Sequence, residues 1–471
     1  MIHDLLYKVK ENTDHNDLQL SDDLMLNKTF ASYFPKQDDL IKFTKMLCTP
    51  LKNAENICFR RELIFEFYSQ PQLLSKINNI LKQIKFLHDD IYAQRIHRAI
   101  NSPLLLLKMR ANAVKSILEL FAELAITAKG LTTQNRVLCA LIDRIIQIGD
   151  DNNSRKFIQY CDRIENISSD QSHYVEIELN EHSKIQLCAL TDVGIQITTE
   201  QTTARKKLFQ KQYQAQPEAI QLNFLAAEDA KTLYTASLNT LSELLYDVEN
   251  LIFAEFLTAA DQIDFYVTAI EIMHTADNKG IKWCFAELNN GSSLCVNQLC
   301  DLLLAVNGVT PISNSISIDS SKKGIIIKGD NNSGKTVFLR SFAVAYLMSL
   351  QGLPILSESA TLPQKSGIYS LFASSERSLA QNMGRFEQEV ERMATIIDSI
   401  TSDQILIMNE PFQTTEYTEG AIGLYGILEY LSDINVFWIV VTHLDELKRL
   451  TKSNDRIATF NMTDEHKLTQ E

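Results

Sequence analysis

Residues 218–279 contain neither glycine nor proline, and apolar side chains return every three or four positions at Leu241, Leu244, Leu245, Val248, Leu251, Ile252 and Phe256. Positions three and four apart share one face of an α-helix, so this tract predicts one or two helices well beyond the usual length. Residues 73–148 form a second helical tract, with Ile77, Ile80, Leu81, Ile84 and Leu87 in a stripe and only Pro103 and Gly130 as punctuation. The two tracts suit either paired antiparallel levers or a compact helical domain, because periodicity fixes helices and not how straight they run. Between them Val175, Ile177 and Leu179 alternate with Glu176 and Glu178, and a polar turn precedes a second strand-like run, which predicts a small hairpin or sheet. Residues 199–217 are polar and locally basic, with Phe209 and Tyr213 interleaved, as in a solvated linker or a nucleic-acid contact.

The pattern changes near Gly308. Apolar runs at 324–327, 404–408 and 436–441 alternate with helical segments, as a mostly parallel sheet with crossover helices requires. Of fifteen glycines, five fall in the first 300 residues and ten in the remainder, which marks the same boundary. The chain therefore reads as α + α/β. Residues 1–150 are the all-α core and first lever helices, 151–217 a small β connector, 218–290 the returning lever helices, and 291–471 the α/β domain.

Composition narrows the function classes. A length of 471 residues suits two to four domains, and a formal charge of −14 argues against a protein that coats nucleic acid generally. A local basic groove remains compatible with that charge, and DNA affinity through it would be salt-sensitive. No apolar stretch of about 18 residues lacks charges, and the start lacks a basic-then-apolar leader pattern, so the expected location is cytoplasmic with no membrane partner. Eight cysteines lie scattered in apolar segments without a CxxC pair, and are expected to be buried free thiols.

The sharpest chemistry lies at Gly329, Asp330, Asn331, Asn332, Ser333, Gly334, Lys335 and Thr336, which fill every fixed position of the phosphate-binding pattern GxxxxGK[ST]. An apolar run precedes them and a helical run beginning with Val337 follows, the strand–loop–helix setting that the pattern needs. Glycines let successive N–H groups turn toward phosphates, and the helix adds its positive end. Lys335 is expected to reach the β and γ phosphates of ATP, Thr336 to ligate Mg²⁺, and Val337 to complete the nucleotide-binding set.

Two further elements follow in order. The run 404–408 ends in Asn409 and Glu410, where an acid beside the phosphates would hold the metal's hydration shell and orient the attacking water. Glu410 is the candidate for that water, and Asn409 occupies a position where an aspartate is expected. The run 436–441 ends in Thr442 and His443, a polar pair able to sense the γ phosphate.

These elements together resemble the ATPase domain of the MutS family of DNA mismatch-repair proteins. The loop is similar to that family's Gly-Pro-Asn-x-Gly-Gly-Lys-Ser/Thr, and Thr442, His443, Glu446 and Leu447 resemble its Thr-His-x-x-Glu-Leu. Asn409, Glu410, Thr414 and Thr415 resemble its Asp-Glu-x-x-x-x-Thr segment. Gly384, Arg385, Phe386 and Glu389 resemble its Ser-x-Phe-x-x-Glu signature, which in the family touches the nucleotide of the partner subunit. More weakly, residues 47–64 resemble the start of the MutS core, and 264–288 the helix returning from lever to ATPase. The resemblance implies a P-loop (ABC-type) ATPase domain, a core and lever architecture, DNA gripped at the lever ends, and ATP closing two subunits around composite sites.

Departures from the family pattern shape the expectation. The core-like pattern begins near residue 40, so no mismatch-reading domain is expected. Gly384 replaces a serine, removing a hydroxyl directed at the partner's γ phosphate. The chain ends soon after a strand-like run at 456–461, so a homodimer would use the ATPase faces. An amide at Asn409 accepts hydrogen bonds more weakly than a carboxylate, which predicts weaker Mg²⁺ binding and slow turnover. Ile312 is the candidate for stacking on the base. The leading expectation is a MutS-like ATPase that interacts with DNA without mismatch specificity; the alternative is a nucleotide-dependent clamp on a protein partner with little turnover.

Overall fold

The computed structural model describes residues 4–9, 18–96, 102–167, 175–179, 185–190, 195–198, 224–372, 385–412, 417–452 and 454–470. The chain forms two compact units, one built on Pro71–Ile263 and the other on Leu5–Gln70 with Asp264–Glu471. It opens with four helices of the second unit: α1 (Leu18–Asp23), α2 (Leu26–Phe30), α3 (Gln37–Leu47) and α4 (Ala54–Ser69).

The first unit holds α5 (Pro71–Ile96), α6 (Pro103–Ala128), α7 (Arg136–Asp150) and α8 (Asn152–Glu165). Local chemistry sets where these helices begin. Ser102 precedes Pro103 at the first turn of α6, the Asn135 side chain accepts from the amides of Val137 and Leu138, and Asp151 accepts from Asn153. The α6 helix packs on α7 and α8, and its Leu107, Val114, Ile117, Phe121 and Leu124 are buried. Strands β1 (Val175–Leu179), β2 (Ile185–Leu190) and β3 (Ile195–Thr198) form an antiparallel sheet, one strand more than the alternation predicts. The basic stretch 199–217 lies outside the described residues.

Helix α9 (Phe224–Asn278) is one unbroken helix of 55 residues. Its buried stripe differs from the apolar one: Leu241, Leu245, Phe253 and Phe256 are buried, whereas Leu244 is 42% and Leu251 68% exposed. The stripe steps by four residues from Leu241 to Phe253 and then by three to Phe256, and its middle position is Glu249, buried and paired with Arg95. Arg95 and Arg110 lie over the ring of Tyr246 at 5.3 and 4.8 Å, so cation–π attraction surrounds this charge pair. A carboxylate among apolar positions is invisible to an apolar periodicity.

The second unit carries a sheet of order β13-β12-β7-β11-β10-β9. Its strands are β7 (Gly324–Gly329), β9 (Gly367–Phe372), β10 (Gln404–Asn409), β11 (Phe437–Val441), β12 (Ile457–Met462) and β13 (Leu468–Gln470). Every neighbouring pair runs parallel except β12 with β13, and the register sets Met408 beside Val440 and Val441 beside Ile327. Ile326, Leu406, Met408, Trp438 and Val440 pack toward α12 (Arg385–Ser399), α13 (Tyr417–Asp433) and α14 (Asp445–Thr451). The alternate residues Ile325, Ile327, Ile405, Ile407, Ile439 and Val441 are also buried and face the other way, as strand pleating requires. On the sheet lies α11 (Lys335–Leu350), of whose sixteen residues thirteen are buried, as befits a central helix.

A second, four-stranded sheet of order β4-β8-β5-β6 was not legible as strands: β4 (Glu287–Asn289), β5 (Leu294–Leu299), β6 (Asn314–Ile318) and β8 (Ser359–Pro363), with the short α10 (Leu302–Val306) between β5 and β6. Arg60 of α4, fully buried, donates to the carbonyl of Leu6 at 3.0 Å and to Gln351 Oε1 at 2.6 Å, just past α11. Gln351 in turn donates to the carbonyls of Met46 and Thr49, both at 2.7 Å, so the amino-terminal helices are fastened to the back of α11.

Among the described residues no helix is long and apolar enough to cross a membrane. The expectation of buried thiols holds for Cys48, Cys161 and Cys300, is met only halfway at Cys139, Cys284 and Cys295, and fails for Cys58, which is exposed because it occupies the outward side of α4 between buried Ile57 and Phe59. Burial pushes the Cys161 thiol up to about 12.

Candidate functional site

Parallel strands gather their carboxyl ends at one edge of the sheet, the usual position for ligands in such folds. Here the ends of β7, β10 and β11 are laced together. The amide of Thr442 donates to Ile327 at 3.1 Å and that of Glu410 to Val441 at 2.8 Å. The Gly329–Thr336 loop therefore emerges beside Asn409–Glu410 and Thr442–His443, although the three segments are far apart in sequence.

The loop needs its glycines. Gly329 has φ 140 and a Cβ there would meet the Met462 carbonyl at 2.3 Å, while Gly334, at φ 99, caps α11 in the left-handed region. Asn332 has φ 67, a conformation Asn tolerates better than most residues. Ser333 and Lys335 are buried, and Asp330, Asn331 and Asn332 are exposed. The Lys335 ammonium bridges the loop, donating to the carbonyls of Gly329 and Asp330 at 2.7 Å each. Val337, on the first turn of α11, is 40% exposed.

Thr336 and Asn409 meet: the hydroxyl donates to Asn409 Oδ1 at 2.9 Å. Two neutral oxygen donors on separate elements suit a hard cation such as Mg²⁺ that takes its remaining ligands from phosphates and water. Glu410 follows at φ 52, and its carboxylate lies 3.9 Å from His443 Nδ1, both side chains being largely but not fully covered. The arrangement brings together an anion-sized loop, a lysine, two oxygen ligands, a carboxylate and an imidazole.

Gly384, Thr414 and Thr415 lie outside the described residues, and Arg385 opens α12 without a described side chain, so these four residues add no geometry to the site. Ile312 is 44% exposed, two residues before β6.

Two further residues stand close to the site. Glu389, on α12 and nearly fully buried, accepts the amide of Phe412 at 2.9 Å, which ties α12 to the turn after Glu410. His466, in the turn between β12 and β13, lies against the loop with Nδ1 2.7 Å from the Ser333 carbonyl. Glu389 was visible as part of the signature segment, but its backbone partner is not. A solitary histidine in a polar turn carries no sequence signal at all.

Residues 325–470 match the family described as MutS domain V. Similar proteins include several that bear the name Endonuclease MutS2. That of Thermus thermophilus is 30% identical over 151 residues, 32% of this chain and 20% of the relative. That of Streptococcus agalactiae serotype Ia is 28% identical over 176 residues, 37% and 21% of the two chains. That of Streptococcus mutans is 28% identical over 188 residues, 38% and 24%. The matched stretch thus spans a fifth to a quarter of these relatives' length.

Proposed function

We propose that this chain, whose residues 325–470 match MutS domain V, is a MutS-family protein that binds ATP, hydrolyses it slowly and couples the nucleotide to DNA without reading single mismatches. The observation carrying this reading is the 2.9 Å contact of Thr336 with Asn409, which joins the helix after the loop to the strand that bears Glu410. In this reading the second unit contains a P-loop ATPase domain of ABC type with a mostly parallel sheet. Backbone N–H groups from Gly329 to Gly334 and the start of α11 hold the phosphates, Lys335 turns from its loop carbonyls toward them, and Val337 borders the nucleotide. Thr336 and Asn409 hold Mg²⁺, which when bound offsets the charge between the phosphates. Glu410 orients water and His443 responds to the terminal phosphate. The amide at Asn409 weakens the metal's hold and keeps turnover slow. Two copies would meet through their ATPase faces, with Gly384 and Arg385 directed at the partner's nucleotide, in the cytoplasm. Since the match covers a minor part of proteins named for endonuclease activity, no nuclease step is included.

A second reading, a nucleotide-dependent clamp on a protein, draws on one observation. Phe386, Val390 and Ile422 are 44%, 43% and 55% exposed on α12 and α13. Phe386 and Val390 line an apolar groove of about 400 Å³ there, in a chain of net charge −14.

Phosphate release and ATP binding in Mg²⁺, with and without duplex and branched DNA at low salt, test both readings. Lys335→Ala should abolish measurable ATP binding. Asn409→Asp should lower the Mg²⁺ concentration needed for half-maximal binding. If Lys335→Ala binds ATP like the parent, the site is wrong; if ATP binds but no DNA does, the protein clamp is favoured.

A further inference from the structure

The turn between β12 and β13 reaches back onto the phosphate loop through His466. Nδ1 of the imidazole lies 2.7 Å from the carbonyl oxygen of Ser333, and since a carbonyl only accepts, Nδ1 must carry the proton. The ring lies directly against Gly334: a Cβ there would be in van der Waals contact with it, 3.4 Å from Nδ1 and 3.7 Å from the His466 Cβ.

The turn that presents this ring is itself held. His466 sits at φ 59, its amide donates to Thr463 at 2.9 Å, and its carbonyl accepts from Asn314 Nδ2 at 3.1 Å. Asn314 Oδ1 accepts the amide of Leu468 at 2.8 Å, and Lys467 donates to the Ser313 carbonyl at 2.9 Å. The imidazole is thus presented by a turn fastened to the start of β6.

What such a contact does follows from peptide geometry. In a planar trans peptide the C=O and the next N–H point in opposite directions. A hand on the Ser333 carbonyl is therefore a hand on the Gly334 N–H. Glycine adopts either sign of φ without steric penalty, so nothing in Gly334 itself keeps this peptide from flipping. With the carbonyl drawn to His466, the Gly334 N–H is aimed the opposite way, away from the turn between β12 and β13.

We infer that His466 is a positioning residue of the phosphate loop, which fixes the Ser333–Gly334 peptide so that its N–H is available to a phosphate oxygen. The inference rests on the reading of this loop as a phosphate cradle. It predicts a defined tautomer before any ligand binds, and a loss of phosphate affinity when the donor is removed.

The test uses the full chain and three variants. His466→Gly removes the donor and keeps the left-handed turn; His466→Asn retains an N–H donor on a residue that tolerates positive φ; Lys335→Ala controls for the site. Binding is measured with Mg-ADP and with tripolyphosphate, which lacks base and ribose. His466→Gly should bind both about tenfold more weakly, the loss of one hydrogen bond to a charged ligand, and His466→Asn should return to within about threefold of the parent. Equal binding by His466→Gly and parent, where Lys335→Ala has lost it, would overturn the role of His466 and leave the cradle standing. If parent and Lys335→Ala bind alike, the cradle reading fails instead. Long-range ¹⁵N spectra of the nucleotide-free protein then still decide the contact: the Nδ1–H tautomer of His466 is expected, and the Nε2–H tautomer would refute it.

Discussion

The two units treat their backbones differently. In the helical unit, Pro71–Ile263, no described residue has a positive φ; in the other, Met25, Gln298, Asn332, Glu410, Phe412, Asn435 and His466 do, together with five glycines. A left-handed residue other than glycine costs roughly 1–2 kcal/mol. Asn332, Glu410, Phe412 and His466 all border the candidate site, where such strain tends to gather. The helical unit is one in which local preference, capping and packing agree. The α/β unit gives up that agreement at its strand ends, where polar groups must be directed outward. Stability should therefore be most sensitive to apolar truncation in the first unit, and activity to backbone-directing residues in the second.

Phe121→Ala applies the strongest test of that division. Phe121 is fully buried in α6, its ring 4.9 Å from that of Phe256 on α9. Removing a buried phenyl group costs about 3–5 kcal/mol, so denaturant or thermal unfolding of the helical unit should shift accordingly. At temperatures where the variant is folded, ATP binding should stay within about twofold of the parent, because Phe121 and the candidate site belong to different units and sites that share no partner act independently. A parallel loss of ATP affinity in the folded variant would break the comparison.

The same contrast explains what could be read from the sequence. In the stripe Ile77, Ile80, Leu81, Ile84 and Leu87 the first four are buried and Leu87 is half-buried, because an amphipathic helix writes its burial into residue type. Glu249 escaped that reading, since its place in the core depends on Arg95 from another helix. In the α/β unit the central strands β7, β10 and β11 were legible as continuous apolar runs, whereas β4, β5, β6 and β8 were not, because polar residues interrupt them. The loop and its companions could be found because their chemistry restricts residue type at fixed spacing. His466 and Glu389 act on backbone groups, which every residue possesses, so their sequence neighbourhood says nothing of their partners.

Glu410→Gly separates strain from chemistry. Glycine relieves the penalty of φ 52, so stability should hold or rise by up to about 1 kcal/mol. Loss of the carboxylate should reduce ATP turnover on the order of 100-fold with ATP affinity little changed. Melting temperature and phosphate release, measured on one preparation, give both answers. A variant that is destabilised and still turns over would show that Glu410 serves the fold and not the reaction.

The smallest effect expected is at Arg144, and it fixes the other end of the scale. Arg144 on α7 makes a two-pronged pair with Glu255 on α9, at 2.6 and 3.0 Å, and the bond to Glu255 raises its pKa above the usual guanidinium value. The side chains are 37% and 24% exposed, so water and salt screen the pair. Such pairs contribute about 0–1 kcal/mol, and the forked geometry puts this one toward the upper end. Arg144→Ala should cost under about 1 kcal/mol, and Arg144→Lys should recover only part of it because the fork is lost. Both differences should shrink in high salt. If urea melts instead gave Arg144→Ala a larger cost than Phe121→Ala, charge pairing would be what holds the helical unit together, and the contrast with the α/β unit would have to be redrawn on electrostatics.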